Sequence, residues 1–224
     1  MIFAMVCVQT ITADKMRQVE EKAHRMGILR VFMMENAGSG VADYIFSRFK
    51  RLDKKKIVVV AGTGNNGGDA FVAARHLVYH GAKVTVILLG SPKDLKTEET
   101  RINWSVLEQM NSLDLIFAKE VSKEIARMIN NADIIIDGIF GTGIRGRISE
   151  PHSSVIDAIN NAKAYKVAVD VPSGLDPDTG EIHDKCVKAD ATITFHRMKK
   201  GLLKKSICGK IIVEPIGIPP DAEQ

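Results

Sequence analysis

A chain of 224 residues, 45 % hydrophobic and 26 % charged with a formal net charge of +4, has the make-up of an ordinary globular protein and the length for one α/β domain whose sheet is covered on both faces. The lysine clusters Lys54–Lys56 and Lys199, Lys200, Lys204 and Lys205 are not interleaved with aromatics, so they read as solvated faces and no nucleic-acid partner is expected. Cys7, Cys186 and Cys208 are too few and too far apart for a disulfide framework or a zinc site; with no basic residue before Lys15 and no apolar run near the ~20 residues of a membrane span, a cytoplasmic protein is expected.

The first predicted elements are helical. Met16, Val19, Ala23 and Met26 recur at spacings of three and four, with Thr12 or Asp14 as cap, and after Gly27 the pattern resumes from Val31 to Phe49. Within that second helix Glu35-Asn36-Ala37-Gly38 reads as an interruption, either a bend or a segment near a site. From Lys56 onward β-branched runs alternate with helical stretches. Strands are predicted at Ile57–Ala61, Val84–Leu89, Leu113–Ala118, Ile134–Asp137, Val167–Asp170, Ala191–Phe195 and Lys210–Glu214, and helices at Ala70–His80, Glu98–Met110, Ser122–Asn130 and Ser153–Asn160. Such alternation implies right-handed crossovers: an α/β, three-layer αβα, Rossmann-like, doubly wound and mostly parallel sheet, preceded by a helical segment.

Ligands of such sheets bind beyond the carboxyl ends of the strands at the switch point, and three strand ends carry unusual residues. The first leads into Gly62-Thr63-Gly64-Asn65-Asn66-Gly67-Gly68-Asp69, a literal G-x-G-x-x-G read as a phosphate-cradling loop ahead of a helix. A dehydrogenase would also carry a ribose-binding acid at the tip of the next strand; here that strand ends in Gly90-Ser91-Pro92, which argues against an NAD(P)-dependent oxidoreductase. The plain alternative is a turn with Asp69 as helix cap, which accounts for the glycines and leaves the paired asparagines unexplained. The second end, Asp137, runs into a glycine loop with Thr142, Arg145 and Arg147, where the arginines suit a phosphate; the third, Asp170, runs into Val171-Pro172-Ser173-Gly174. Each aspartate alone is equally a loop cap; together they point to one shared site. The histidines show no metal-ligand spacing, and Trp104 reads as packing.

Three stretches in order, AGTGNNGGDAFVAARHL (Ala61–Leu77), DIIIDGIFGTGIRG (Asp133–Gly146) and AVDVPSGLDPDTGEI (Ala168–Ile182), closely resemble the NAD(P)H-hydrate epimerases, the YjeF N-terminal domain family, and Met34–Gly38 is similar to that family's N-terminal helix motif. The resemblance covers about Met16 to Ile218. It implies one epimerase domain over residues 1–224, with a linker to a fused dehydratase beginning near 218 in members that carry one. The implied activity is an isomerase for metabolite repair that interconverts the R and S forms of NADHX and NADPHX at nicotinamide carbon 6 for an S-specific dehydratase partner. Carried over residue by residue, Asn65, Asn66, Gly67, Gly68 and Asp69 contact substrate. So do Gly141, Thr142, Gly143, Ile144, Arg145, Gly146 and Arg147. Asn66, Asp137 and Ser173 ligate a potassium ion, and Asp170 is both substrate contact and catalytic acid/base. A homodimer is also implied. On this reading Asp170→Asn removes activity and leaves the fold intact, and Gly67→Val weakens dinucleotide binding far more than stability. The same fold also serves as a non-catalytic module in RNA-processing scaffolds and in an extracellular apolipoprotein-interacting protein, uses that do not require Asn66 or Asp170, both present here. Two positions depart from the pattern: Ala70 for a common glycine, and Lys200 for a proline after Lys199.

Overall fold

The computed structural model describes residues 10–141, 147–203 and 205–224. In chain order the elements are β1 (Thr10–Ile11), α1 (Ala13–Arg25), α2 (Arg30–Phe49), β2 (Lys56–Ala61), α3 (Asn65–Tyr79), β3 (Lys83–Leu89), α4 (Glu98–Glu108), β4 (Asp114–Ala118), α5 (Lys123–Asn130), β5 (Ile134–Gly138), α6 (His152–Asn161), β6 (Tyr165–Val169), β7 (Ala191–Phe195), β8 (Met198–Lys199) and β9 (Lys210–Glu214). Seven strands form one parallel sheet in the order β4-β3-β2-β5-β6-β7-β9, and β1 pairs with β8 in a short parallel ladder.

Alternation along the strands sorts the side chains into two layers. Ile57, Val59 and Ala61, with Val86, Leu88, Ile134, Ile136 and Val169, face the core shared with Met16 and Val19 of α1, Val41 and Ile45 of α2, Phe71 and Leu77 of α3 and Trp104 of α4. Val58, Val60, Ile87, Leu89 and Ile135 face the opposite layer, filled by Ile125 and Ile129 of α5 and Val155, Ile156 and Ile159 of α6. Both faces are apolar, which is why the central strands read as unbroken β-branched runs. Trp104 is buried and meets Phe71 edge-on at 5.1 Å, as a packing residue does.

The predicted strands are all present, with ends displaced by at most two residues. The structure settles three local features. First, of the two candidate caps it is Thr12 that caps α1, its hydroxyl accepting from the Lys15 N–H at 3.2 Å. Second, α2 runs unbroken through Glu35–Gly38. Its glycine is there for close packing, since a Cβ on Gly38 would lie 2.5 Å from the Asp69 carbonyl oxygen of α3. Third, α3 begins at Asn65, five residues before the predicted start. Cys186 and Cys208 are free and buried. No helix among the described residues is long and apolar enough to cross a membrane.

Candidate functional site

The strand order reverses between β2, which continues outward to β3, and β5, which continues to β6. Three backbones converge there so tightly that no side chain fits between them. A Cβ on Gly62 would lie 2.1 Å from the Ile139 carbonyl oxygen, one on Gly67 2.0 Å from the Gly62 carbonyl oxygen, and one on Gly138 2.5 Å from the Ala70 Cβ. The turn after β2 is therefore only Gly62-Thr63-Gly64, and Asn65 to Asp69 form the first turn of α3. Asparagine, glycine and aspartate are weak helix formers, so the segment reads as loop by composition; tertiary packing overrides that preference. Gly64 caps the helix without a side chain, and the first intrahelical bond is Gly68 N–H to Gly64 O, so the N–H groups of Asn65, Asn66 and Gly67 are left facing the carboxyl edge of the sheet.

Asn66, Asp137 and Ser173 meet at this edge, each at least nine-tenths buried. The Asp137 carboxylate accepts from the Ser173 hydroxyl at 2.5 Å, the Ser173 N–H at 2.8 Å and the Ile139 N–H at 3.3 Å. Burial nevertheless pushes its carboxyl up to about 6 against those bonds. Phe140 ties the group together: its N–H donates to Ser173 Oγ at 2.9 Å and its carbonyl accepts from Asn66 Nδ2 at 3.0 Å. The Asn66 side-chain oxygen is buried and has no partner among the described residues.

Asp170 stands one residue beyond β6 in the left-handed region, φ +62°, where the backbone turns its side chain along the sheet edge. All its donors converge on Oδ1: Thr194 Oγ1 at 3.1 Å, the Phe195 N–H at 3.1 Å, and the Lys199 ammonium. No described residue donates to Oδ2. Lys199, read from sequence as part of a solvated face, is 1 % exposed and also donates to the Phe195 carbonyl at 2.9 Å. Burial, reinforced by the charge of Asp170, raises the carboxyls of Asp69 of α3 and Glu20 of α1.

The structure thus brings Asn66, Asp69, Asp137, Asp170 and Ser173 to one sheet edge. Asn65 is exposed beside them, its side-chain oxygen accepting from Thr97 at 2.7 Å. Gly67 and Gly68 are packing glycines: a Cβ on Gly68 would lie 2.6 Å from Met34 side-chain atoms. Gly141 lies against Asn66, with its ideal Cβ 3.4 Å from the Asn66 Cβ. Arg147 is exposed, and the predicted contacts Thr142, Gly143, Ile144, Arg145 and Gly146 lie outside the described residues. Lys200, in place of a proline, opens a short 3-10 turn, whose Gly201 N–H bonds the Pro177 carbonyl at 2.6 Å, so the loop closes against the segment after Asp170. The burial of Lys199 was not legible from its lysine-rich run; the β1–β8 pairing sets Ile11 opposite it.

Fold and site define a three-layer, doubly wound α/β protein whose switch point gathers buried side-chain oxygens and carboxyls. Residues 31–201 match the model of the family described as YjeF-related protein N-terminus, and the chain belongs to that family. It is 49 % identical over 215 residues to the NAD(P)H-hydrate epimerase of Nitrosopumilus maritimus, covering 96 % of this chain and 98 % of that one. It is 50 % identical to the epimerase of Cenarchaeum symbiosum, with the same coverage. The bifunctional NAD(P)H-hydrate repair enzyme Nnr of Pyrobaculum aerophilum is 44 % identical, and there this chain spans 43 % of the relative's length. In fold it resembles the crystal structure of yeast ynu0, at a TM-score of 0.82, 22 % identity and coverage of 96 % and 92 %.

Proposed function

We propose that this protein is an NAD(P)H-hydrate epimerase, an isomerase that interconverts the R and S forms of NADHX and NADPHX at nicotinamide carbon 6. The observation that carries the reading is Asp170: a carboxylate at the carboxyl edge of the sheet, held by three donors on one oxygen, with no described residue donating to the other. Such a group contributes ~10²–10⁴-fold to a rate by positioned proton transfer. The unpaired N–H groups at the start of α3 and its positive helix end suit the substrate's pyrophosphate, with Gly141–Arg147 as the second substrate loop. Lys199 holds Asp170 in place and keeps a positive charge beneath it. The test is direct: R-NADHX mixed with the protein and an S-specific dehydratase should regain NADH absorbance much faster than without the protein. An unchanged rate would overturn the reading. The bifunctional relatives motivate a dehydratase as functional partner.

Asn66, Asp137 and Ser173 are our candidates for potassium ligands. The donor set fits: every group offers oxygen, the buried Asn66 side-chain oxygen has no partner among the described residues, and Asp137 brings a negative charge that burial alone disfavours. Among the described residues no cluster of histidine, cysteine and acidic side chains suggests a different metal. Potassium here would offset the Asp137 charge and brace the turn through Phe140.

This assignment has a pH signature. Folded Asp137 is raised from 3.8 to about 6, so it binds its proton more tightly folded than unfolded. Without a cation, its contribution to stability is full below the unfolded value and is lost as pH rises through about 6. A cation binds the ionised form and reverses the loss. At a hundredfold excess over its dissociation constant it adds about 2.7 kcal/mol, or ~5–10 °C in melting temperature for a domain of this size. The difference between melts in potassium and in choline should therefore be large at pH 7.5 and vanish near pH 4. Equal melts in the two salts at pH 7.5 would remove the ion from this site.

A further inference from the structure

Two strained turns stand at the ends of the neighbouring strands β6 and β7. Asp170 is the middle residue of the first, closed by the Val171 N–H on the Val169 carbonyl at 2.7 Å. His196 is the middle residue of the second, closed by the Arg197 N–H on the Phe195 carbonyl at 2.7 Å. Both have φ +62°, and a three-residue turn with positive φ at a residue other than glycine persists only where its surroundings hold it. The second turn is the seat of the Asp170–Lys199 pair. Its Phe195 N–H donates to Asp170 Oδ1 at 3.1 Å, and the Phe195 carbonyl accepts from Lys199 Nζ at 2.9 Å as well as from Arg197. Rotation about the His196 N–Cα bond would swing that carbonyl, so the strained φ fixes where the Lys199 ammonium is held.

The side chains of this turn are gripped by one carboxylate. Glu223 Oε1 accepts from Arg197 Nη2 at 2.7 Å and Nε at 3.1 Å, Oε2 accepts from the same Nε at 3.4 Å, and Oε1 lies 3.0 Å from His196 Nε2. Glu223 is itself well anchored. Ile216 and Ala222 are buried in the core shared with α1 and α2, and Asn36 of α2 donates to the Ile216 carbonyl at 3.0 Å. Resting on the epimerase reading above, we propose that Glu223 is a positioning residue of this reaction: through Arg197 and His196 it holds the turn that sets Lys199, and with it Asp170, in place. The grip requires no contact between Glu223 and substrate.

Glu223→Ala, Arg197→Ala and the double variant test this in the R-NADHX assay. The Glu223–Arg197 pair is only half-buried, so all three proteins should fold and melt near wild type. A catalytic group misplaced by ~1 Å from a remote substitution can cost ~10²-fold, so each single variant should lower kcat by ~10–10²-fold. KM should stay within about twofold, because the grip lies outside the substrate contacts. Both substitutions break the same contact, so the double variant should lose no more than the worse single one. Glu223→Gln keeps an acceptor for Arg197 and should recover most of the kcat lost in Glu223→Ala. A kcat within about threefold of wild type in Glu223→Ala, or a rise in KM alone, overturns the proposal; so do losses that multiply in the double variant. Should Glu223→Ala not fold, a Glu223→Gln protein no faster than folded Arg197→Ala overturns it equally. Wild-type turnover separates the two readings: if wild-type protein does not convert R-NADHX, the epimerase assignment fails; if it does and Glu223→Ala does equally, only the positioning role fails.

Discussion

Asp170→Asn is expected to lower epimerisation by ~10²–10⁴-fold and, against the expectation from sequence, to destabilise the protein as well. The activity loss follows from the free oxygen: asparagine tolerates the left-handed backbone and still offers Oδ1 to Thr194 and Phe195, but it cannot give or take a proton at neutral pH. The stability loss follows from Lys199. Its side chain is 1 % exposed and Asp170 is the one carboxylate among the described residues in direct contact with it, so the substitution strands a buried ammonium. Breaking one side of a buried ion pair costs about 3–5 kcal/mol. A double variant, Asp170→Asn with Lys199→Met, should recover most of the melting temperature and remain inactive, because the uncompensated charge is gone while the acid/base is not restored. Coupled-assay rates and thermal melts on the three proteins decide this. Wild-type turnover by Asp170→Asn would remove the residue from the mechanism, and an unchanged melt would mean that Lys199 is not held as an ion pair.

Gly67→Val should prevent stable folding rather than selectively weaken ligand binding. The sequence suggested that the absent side chain made room for a phosphate. The structure shows a Cβ at this position 2.0 Å from the Gly62 carbonyl oxygen, which is backbone of the turn leaving β2 and cannot swing aside. Overpacking a close-packed interior costs ~1–3 kcal/mol when neighbouring side chains can adjust, and more when only backbone can move. Even Gly67→Ala should therefore lose several kcal/mol by denaturant titration. As a contrast, Gly64→Ala meets nothing within 4 Å and should fold with a near-native midpoint. A stable Gly67→Val protein with impaired NADP⁺ binding would restore the original reading of that glycine.

These two positions mark the boundary between what sequence and structure each decide. The layered sheet was legible because both its faces are apolar: the runs Ile57–Ala61, Val84–Leu89 and Ile134–Asp137 have few conformations in which so many β-branched side chains can be buried. The candidate residues at the carboxyl edge were legible for a similar reason, since strands fix where their last residues point: Asn66, Asp137 and Ser173 are linked directly or through Phe140, and Asp170 follows β6 at the same edge. Local pattern also placed α1, through its three-and-four spacing and Thr12 cap.

What sequence could not decide depended on distances between segments far apart in the chain. Asn65-Asn66-Gly67-Gly68-Asp69 has the composition of a loop, and only contact with Gly62, Met34 and Thr100 holds it as helix. Lys199 sits in a run of lysines and reads as solvated, yet a two-residue ladder with β1 and the Asp170 carboxylate draw it inside. Glu20 lies 150 positions before Asp170, and nothing in the helix that carries it distinguishes it from its exposed neighbour Arg17. Periodicity reports which face of an element is buried; which charges become neighbours is set by how elements far apart in the chain pack together.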